Sequence, residues 1–428
     1  MQYTAMQLLE KARESTLEQA LASASAPVRR VLDRALAGGE GSEVTREQGE
    51  LLLSCDDADV VALVASADAV RRQRVGDAVS FVVTRNINFT NVCHMGCRFC
   101  GFARRQGADD AYWLPFEEIA HRAQVASDRG ATEVCMQGGL HPKLPPTYYR
   151  DVVRAVRQQV PHMHVHAFSP FEIWFGAAKR KLPVAGFLEE LKDAGLGSIP
   201  GTAAEILDVE IRRQLTRDKL TASAWNRTVR AAHRIGLPST STMMYGHIDA
   251  PRHWAAHIAL LRDIQKETGG FTEFVPLGFV HAEAPLYVDR ALPGVRAGAT
   301  VHEHIRVHAA ARLMLAGWID NIQVSWVKLG PELAQALLHA GVNDMGGTLM
   351  DESISRSAGA GFGEELTASE MVGIIRDAGR LPRRRGTLYQ TLESFESHDP
   401  APMAPLKQRA FQPMQFIRQR HTREAGHA

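Results

Sequence analysis

Neither sign of charge prevails along this chain, in which 49 Lys and Arg stand against 48 Asp and Glu. No global field therefore exists to gather nucleic acid or an anionic membrane surface. No apolar run is long enough to span a bilayer. Near the start, Glu10, Lys11 and Arg13 interrupt the apolar stretch begun by Leu8 and Leu9, where a signal peptide would need an unbroken one. The expectation is a soluble cytoplasmic protein with neither nucleic acid nor membrane among its partners. Cysteine is scarce and odd in number, with three of the five crowded into eight positions. That count argues against a secreted disulfide framework and for thiolate chemistry in a reducing compartment. A glycine-rich dinucleotide fingerprint after the first strand is missing as well.

What the chain does have is length and apolar content, 428 residues and 45% hydrophobic, enough for one large α/β domain with appendages or for two ordinary domains. Residues 1–76 are rich in Ala, Leu, Glu and Arg with helical spacing in Leu51, Leu52, Leu53, Val60, Val61 and Val64, and read as an N-terminal helical cap. Residues 77–390 alternate strand and helix patterns. A strand runs through Phe81–Val83 to Asn86–Phe89, and others are expected at 132–136, 163–168, 198–199, 239–245, 271–280, 321–327 and 343–348. Helices between them include 148–159, 186–194, 222–235, 254–266 and 302–316, with a last one at 368–378. This pattern predicts an α/β fold, a βα (TIM-type) barrel that is closed or partly open. Residues 391–428 form a polar tail expected to fray or pack loosely.

The polar and Gly-rich segments Gln137-Gly138-Gly139, Ser169-Pro170, Pro200-Gly201-Thr202 and Gly246-His247 follow strands and fall on the C-terminal rim, where barrels build their sites. Immediately after the first strand comes Cys93-His94-Met95-Gly96-Cys97-Arg98-Phe99-Cys100. Three thiolates hold three irons of a cubane and leave the fourth without a protein ligand, open to a small molecule. The alternative is a zinc knot with His94 as fourth ligand, in a non-catalytic, metal-stabilised barrel.

Among the remaining candidates, alternation places His164, His166 and Phe168 on one strand face, with His166 and Ser169 toward the rim. His164 also suits a satisfied core histidine, and Ser169 a helix cap. Tyr245 and His247 end another strand as either site or scaffold. Cys135 and Cys55 read as buried small hydrophobes, Trp254 and Trp326 as core aromatics, and Arg383-Arg384-Arg385 as a solvated turn.

The spacing C-x3-C-x-aromatic-C resembles the signature of the radical S-adenosylmethionine (SAM) superfamily, matched by Cys93, Cys97, Phe99 and Cys100. The resemblance implies a 4Fe-4S cluster on the three cysteines and SAM on the open iron. Phe99 would then lie against the adenine, and Gln137, Gly138 and Gly139 beside the amino group. Ser169, Thr202 and Glu205 would be further cofactor contacts, and His166, Tyr245 and His247 substrate contacts. Where the superfamily commonly has a Glu after the two glycines, none follows Gly139.

Longer stretches, among them Asn86–Cys93, Glu133–Gly139, His164–Pro170, Ile199–Leu207, Ser241–His247 and Asn343–Met350, are similar to the tyrosine-using subunit of the deazaflavin (FO) synthase system. That family implies hydrogen abstraction from the amino group of L-tyrosine and cleavage at Cα–Cβ. The 4-hydroxybenzyl fragment passes to 5-amino-6-(D-ribitylamino)uracil and 2-iminoacetate is released, with a second radical enzyme completing the deazaflavin and an electron donor reducing the cluster. A menaquinone-pathway enzyme acting on a futalosine-type substrate shares the Asn-x-Thr-Asn-x-Cys entry. Departures from the family pattern are Gly101 for Ala, Gly278 for Pro, Ala282 for Met and Asp351 for Asn.

Overall fold

The computed structural model describes residues 3–39, 41–216 and 218–406. Five helices come first: α1 Ala5–Glu14, α2 Leu17–Ala22, α3 Ala26–Ala37, α4 Arg46–Ser54 and α5 Asp57–Val75. The Thr4, Thr16 and Thr45 hydroxyls each accept a backbone N–H three residues on, and each threonine's own N–H donates to the Gln side-chain oxygen there, closing the first turns of α1, α2 and α4. α5 buries Val60, Val61, Leu63 and Val64 on neighbouring faces, so the other helices wrap it.

Strands β1 Ala78–Val82, β2 Thr84–Ile87, β3 Glu133–Met136, β4 His164–Ala167, β5 Leu196–Ser198, β6 Ser239–Tyr245, β7 Phe271–Gly278 and β8 Asp344–Gly347 alternate with helices. Every ladder among them is parallel, giving a TIM-type α/β architecture. The sheet β2-β3-β4-β5 aligns Asn86, Cys135, His166 and Ser198 in one row, and Thr84, Glu133 and His164 in the row below. Because side chains alternate, both rows point to the same face, the interior. Single bridges Ile199–Ser239, Phe274–Ile322 and Gln323–Asp344 run between the sheets. Among the described residues no helix is long and apolar enough to cross a membrane.

Three expectations from the sequence are corrected. The strand expected at 321–327 is reduced to the bridges at Ile322 and Gln323, after which the chain turns into the helix Trp326–Leu329. The reason is tertiary: Trp326 is buried and its Nε1–H donates to the Gly347 carbonyl at 2.9 Å. Arg383–Arg385 is no solvated turn but part of β9 Leu381–Arg385, paired in parallel with β1. Arg385 there grips buried Asp344 through Nε at 2.6 Å and Nη2 at 3.0 Å. The tail past 390 does not start loose, because β10 Thr391–Ser394 adds antiparallel to β9 and buried Phe395 stacks on Phe81 with ring centroids 6.0 Å apart. Residues 407–428 of that tail lie outside the described residues. Trp254 is buried in the core, as its aromatic character predicts.

Candidate active site

The loop carrying the three thiols leaves β2 and is pinned by its backbone. Cys93 N–H donates to Arg104 O at 3.0 Å, His94 N–H to Leu140 O at 3.2 Å, Arg98 N–H to Leu215 O at 3.1 Å and Cys100 N–H to Cys97 O at 3.1 Å. Cys97 Sγ stands 3.5 Å from Thr216 Oγ1. Burial pushes the Cys93 and Cys100 thiols up, opposed at Cys93 by the backbone of Met95 and Leu140.

The donor set fits a cluster. His94 Nδ1 is engaged with the Leu140 carbonyl at 2.6 Å. Three separate thiols on one loop match a cubane, whose irons are distinct.

Gln137, Gly138 and Gly139 lie directly under this loop. A Cβ on Gly138 would stand 2.5 Å from the Phe89 ring, and one on Gly139 2.3 Å from Val92 O, so only glycine lets the two loops close. A glutamate from another element holds the Gly138 backbone. Glu172 Oε1 accepts Gly138 N–H at 2.9 Å, while Oε2 accepts Ser169 N–H at 2.8 Å and Ser169 Oγ–H at 2.6 Å. Burial raises the Glu172 carboxyl to about 7, against the pull of the Ser169 hydrogen bonds. Ser169 thus serves as the N-cap of helix Pro170–Arg180. The Ser-x-x-Glu pattern of 169–172 was a signal from which Glu172 was recoverable.

On the far side of the loop, Lys219 Nζ lies 4.9 Å from the Phe99 ring centroid and pairs with Glu205. Burial pushes the Glu205 carboxyl up, but Lys219 and Arg212 overrule it and hold it below the usual range. Burial likewise works against the Lys219 ammonium, yet Glu205 and Cys97 keep its pKa raised. Arg212, buried, donates to the carbonyl of Ala203 at 3.1 Å. Lys219 and Arg212 escaped the sequence reading, since a lone cation carries no pattern.

Thr202 Oγ1 donates to Gln137 Oε1 at 2.8 Å, and both line an axial cavity with Asn86, Glu133, Cys135, His166, Lys328, Glu352 and Ser355. One hydroxyl, Ser198 Oγ, bridges His166 Nδ1 and His164 Nε2, each at 2.7 Å. Having a single proton, it donates to one ring and accepts from the other. Burial lowers His166 to about 4, so it is neutral. Tyr245 and His247 do not join them. The Tyr245 hydroxyl bonds His304 Nδ1 at 2.6 Å, and His247 Nδ1 takes Ile248 N–H at 2.8 Å, so both serve the scaffold behind the cavity.

Six of the nine described non-glycine residues with positive φ, Phe168, Ala203, Glu205, Leu349, Met350 and Asp351, fall in the loops after β4, β5 and β8. Strained backbone gathers at this rim. Three of the four departures noted in the sequence have steric or electrostatic counterparts. A Cβ on Gly101 would stand 2.3 Å from Ser357 O, and one on Gly278 2.9 Å from His304 Cε1. Asp351 pairs with Arg85 at 3.2 Å and Arg122 at 3.3 Å.

A family model described as the radical SAM superfamily matches residues 87–261, and one described as the CofH/MqnC C-terminal region matches residues 268–398. The chain is 56% identical over 338 residues to an FO synthase of Mycobacterium leprae, covering 79% of this chain and 39% of that protein. It therefore spans about two fifths of the length of the FO synthases it matches. With a 5-amino-6-(D-ribitylamino)uracil–L-tyrosine 4-hydroxyphenyl transferase of Methanopyrus kandleri it shares 49% identity over 367 residues, covering 85% of this chain and 97% of that one. In fold it is similar to the FeFe-hydrogenase maturase HydG from Carboxydothermus hydrogenoformans, with a TM-score of 0.65 at 16% identity over 90% of this chain and 86% of that one.

Proposed function

The chain belongs to the family of the 5-amino-6-(D-ribitylamino)uracil–L-tyrosine 4-hydroxyphenyl transferases, within the radical SAM superfamily, and from that premise we propose that it cleaves L-tyrosine at Cα–Cβ. The 4-hydroxybenzyl group passes to 5-amino-6-(D-ribitylamino)uracil in deazaflavin (FO) biosynthesis, and 2-iminoacetate leaves. The observation that carries this reading is the three-thiol loop seated on Gln137-Gly138-Gly139 beside an axial cavity that carries polar groups on an apolar wall.

When bound, a 4Fe-4S cluster and SAM supply hydrogen-atom abstraction, which no side chain provides unaided. Cys93, Cys97 and Cys100 would hold the cluster and leave one iron for SAM. Phe99, the Gln137–Gly139 backbone, Thr202 and Glu205 border the place where SAM would lie, with Ser169 and Glu172 fixing Gly138. His166 contributes a neutral polar wall. The cavity walls keep bulk water from the reacting atoms.

We infer further that the bridges between the sheets join β1 to β8 into one ring around the cavity, with residues 77–390 as the barrel and 1–76 as its cap. A cytoplasmic location suits free thiols that must accept a cluster. A second radical enzyme would complete the deazaflavin, and an electron donor would reduce the cluster.

Anaerobic reconstitution followed by incubation with L-tyrosine, the ribitylaminouracil, SAM and a reductant tests the reading. Brown protein with about four irons per chain and a hydroxybenzylated uracil are expected. Turnover only with a futalosine-type substrate would move the chain to the menaquinone pathway. Colourless protein holding one zinc would sink both.

A further inference from the structure

Lys328 stands mostly buried on the wall of the axial cavity, on the short helix that Trp326 anchors to β8. Its ammonium donates to one protein acceptor, Ser355 Oγ, at 3.0 Å. Among the described residues it makes no ion pair. Glu352 lines the same wall, but both of its oxygens are committed: Oε1 accepts Ser355 N–H at 2.6 Å, and Oε2 accepts the side-chain amide of Asn86. Ser355 is itself held by that cap, so the lysine's hydroxyl partner has a fixed position. Burial pushes the Lys328 ammonium down, against the field of Glu352 and Glu205.

An ammonium has three N–H donors, and a cation held away from water with donors unused is costly. With one donor used, the others face the cavity. The group that suits them is an anion small enough to enter with its bearer, and a carboxylate is the strongest common acceptor. Resting on the proposed function for the identity of the substrate, we propose that Lys328 receives the carboxylate of the amino acid, with Ser355 as its positioning residue. The ribitylaminouracil is uncharged and offers no such group. Anchoring the carboxylate at this wall would fix the amino end of the substrate relative to the thiol loop and leave the ring to the rest of the cavity.

The test uses cluster-loaded protein with SAM and no reductant, so that nothing turns over, and equilibrium dialysis of L-tyrosine and of tyramine, which lacks the carboxylate. Wild type should prefer tyrosine by about ten- to hundredfold, the range of a charge-assisted hydrogen bond. Lys328→Met should lose that factor for tyrosine, hold tyramine within about twofold, and keep its iron content and SAM affinity, and Lys328→Arg should recover part of it. Equal binding of both amines by wild type overturns the assignment without any variant. An equal loss of tyramine and tyrosine in Lys328→Met also overturns it, as does a loss of SAM binding, which would give the lysine to the cofactor. Wild type that binds no L-tyrosine would overturn the functional reading and this assignment with it, whereas unchanged tyrosine binding in the variant overturns this assignment alone.

Discussion

Gly139 packs directly beneath Cys93: a Cβ added to the glycine would stand 3.1 Å from the Cys93 Cβ and 2.3 Å from the Val92 carbonyl. Gly139 N–H also donates to Thr90 O at 2.7 Å, so neither loop has room to retreat. Gly139→Ala should therefore displace the first thiol, lowering iron incorporation well below wild type and costing about 1–3 kcal/mol, as overpacking does. Iron analysis and denaturant unfolding read the two effects, and a variant that takes up full iron with unchanged stability would refute the close-packing account.

Cys97→Ala should abolish cluster binding and leave cooperative unfolding intact. The thiol meets Thr216 Oγ1 at 3.5 Å, and the core is built from other residues. The absorbance of the reconstituted protein and its melting curve are the measurements. Collapse of the transition would point to a structural metal.

Stability should fall as pH drops from about 6.5 toward 4. Burial holds His166, His233 and His308 near 4, and His257 and His304 near 3. These rings are neutral when folded but protonate in the unfolded chain, which then binds more protons, so stability is fully present above the unfolded histidine value. Glu172 and Glu273, raised to about 7 by burial, act the opposite way between about 4.5 and 7, yet the histidines outnumber them. Denaturant midpoints across this range check the sign, and a midpoint that rises on acidification would contradict it.

Arg385→Met should destabilise the protein by about 3–5 kcal/mol, because Asp344, fully buried, would keep its charge without its partner. Restoring stability with the double change Arg385→Met, Asp344→Asn would show that the orphaned carboxylate, rather than lost packing, sets the cost. Urea titrations of the three proteins decide.

How much was legible in the sequence follows the range of the interactions. The helix Tyr148–Gln159 and the strand Ser239–Tyr245 stand where their periodicity puts them, since a hydrophobic pattern is a local property. Capping pairs such as Ser169 and Glu172 are also local. The strand β9 was hidden because three successive arginines look solvated until Asp344, 41 positions away, neutralises one of them. The role of Glu172 at Gly138, 34 positions apart, was hidden for the same reason.

By itself the sequence determined the three-thiol loop, because Cys93, Cys97 and Cys100 lie within eight consecutive positions. The order of strands and helices came with it. Only the tertiary structure decided which polar groups meet: it set Tyr245 and His247 in the scaffold, drew Glu172 and Lys219 to the cysteine loop, and left Lys328 facing the cavity. Those choices depend on close approach between distant segments and on desolvation, and neither is written in neighbouring residues.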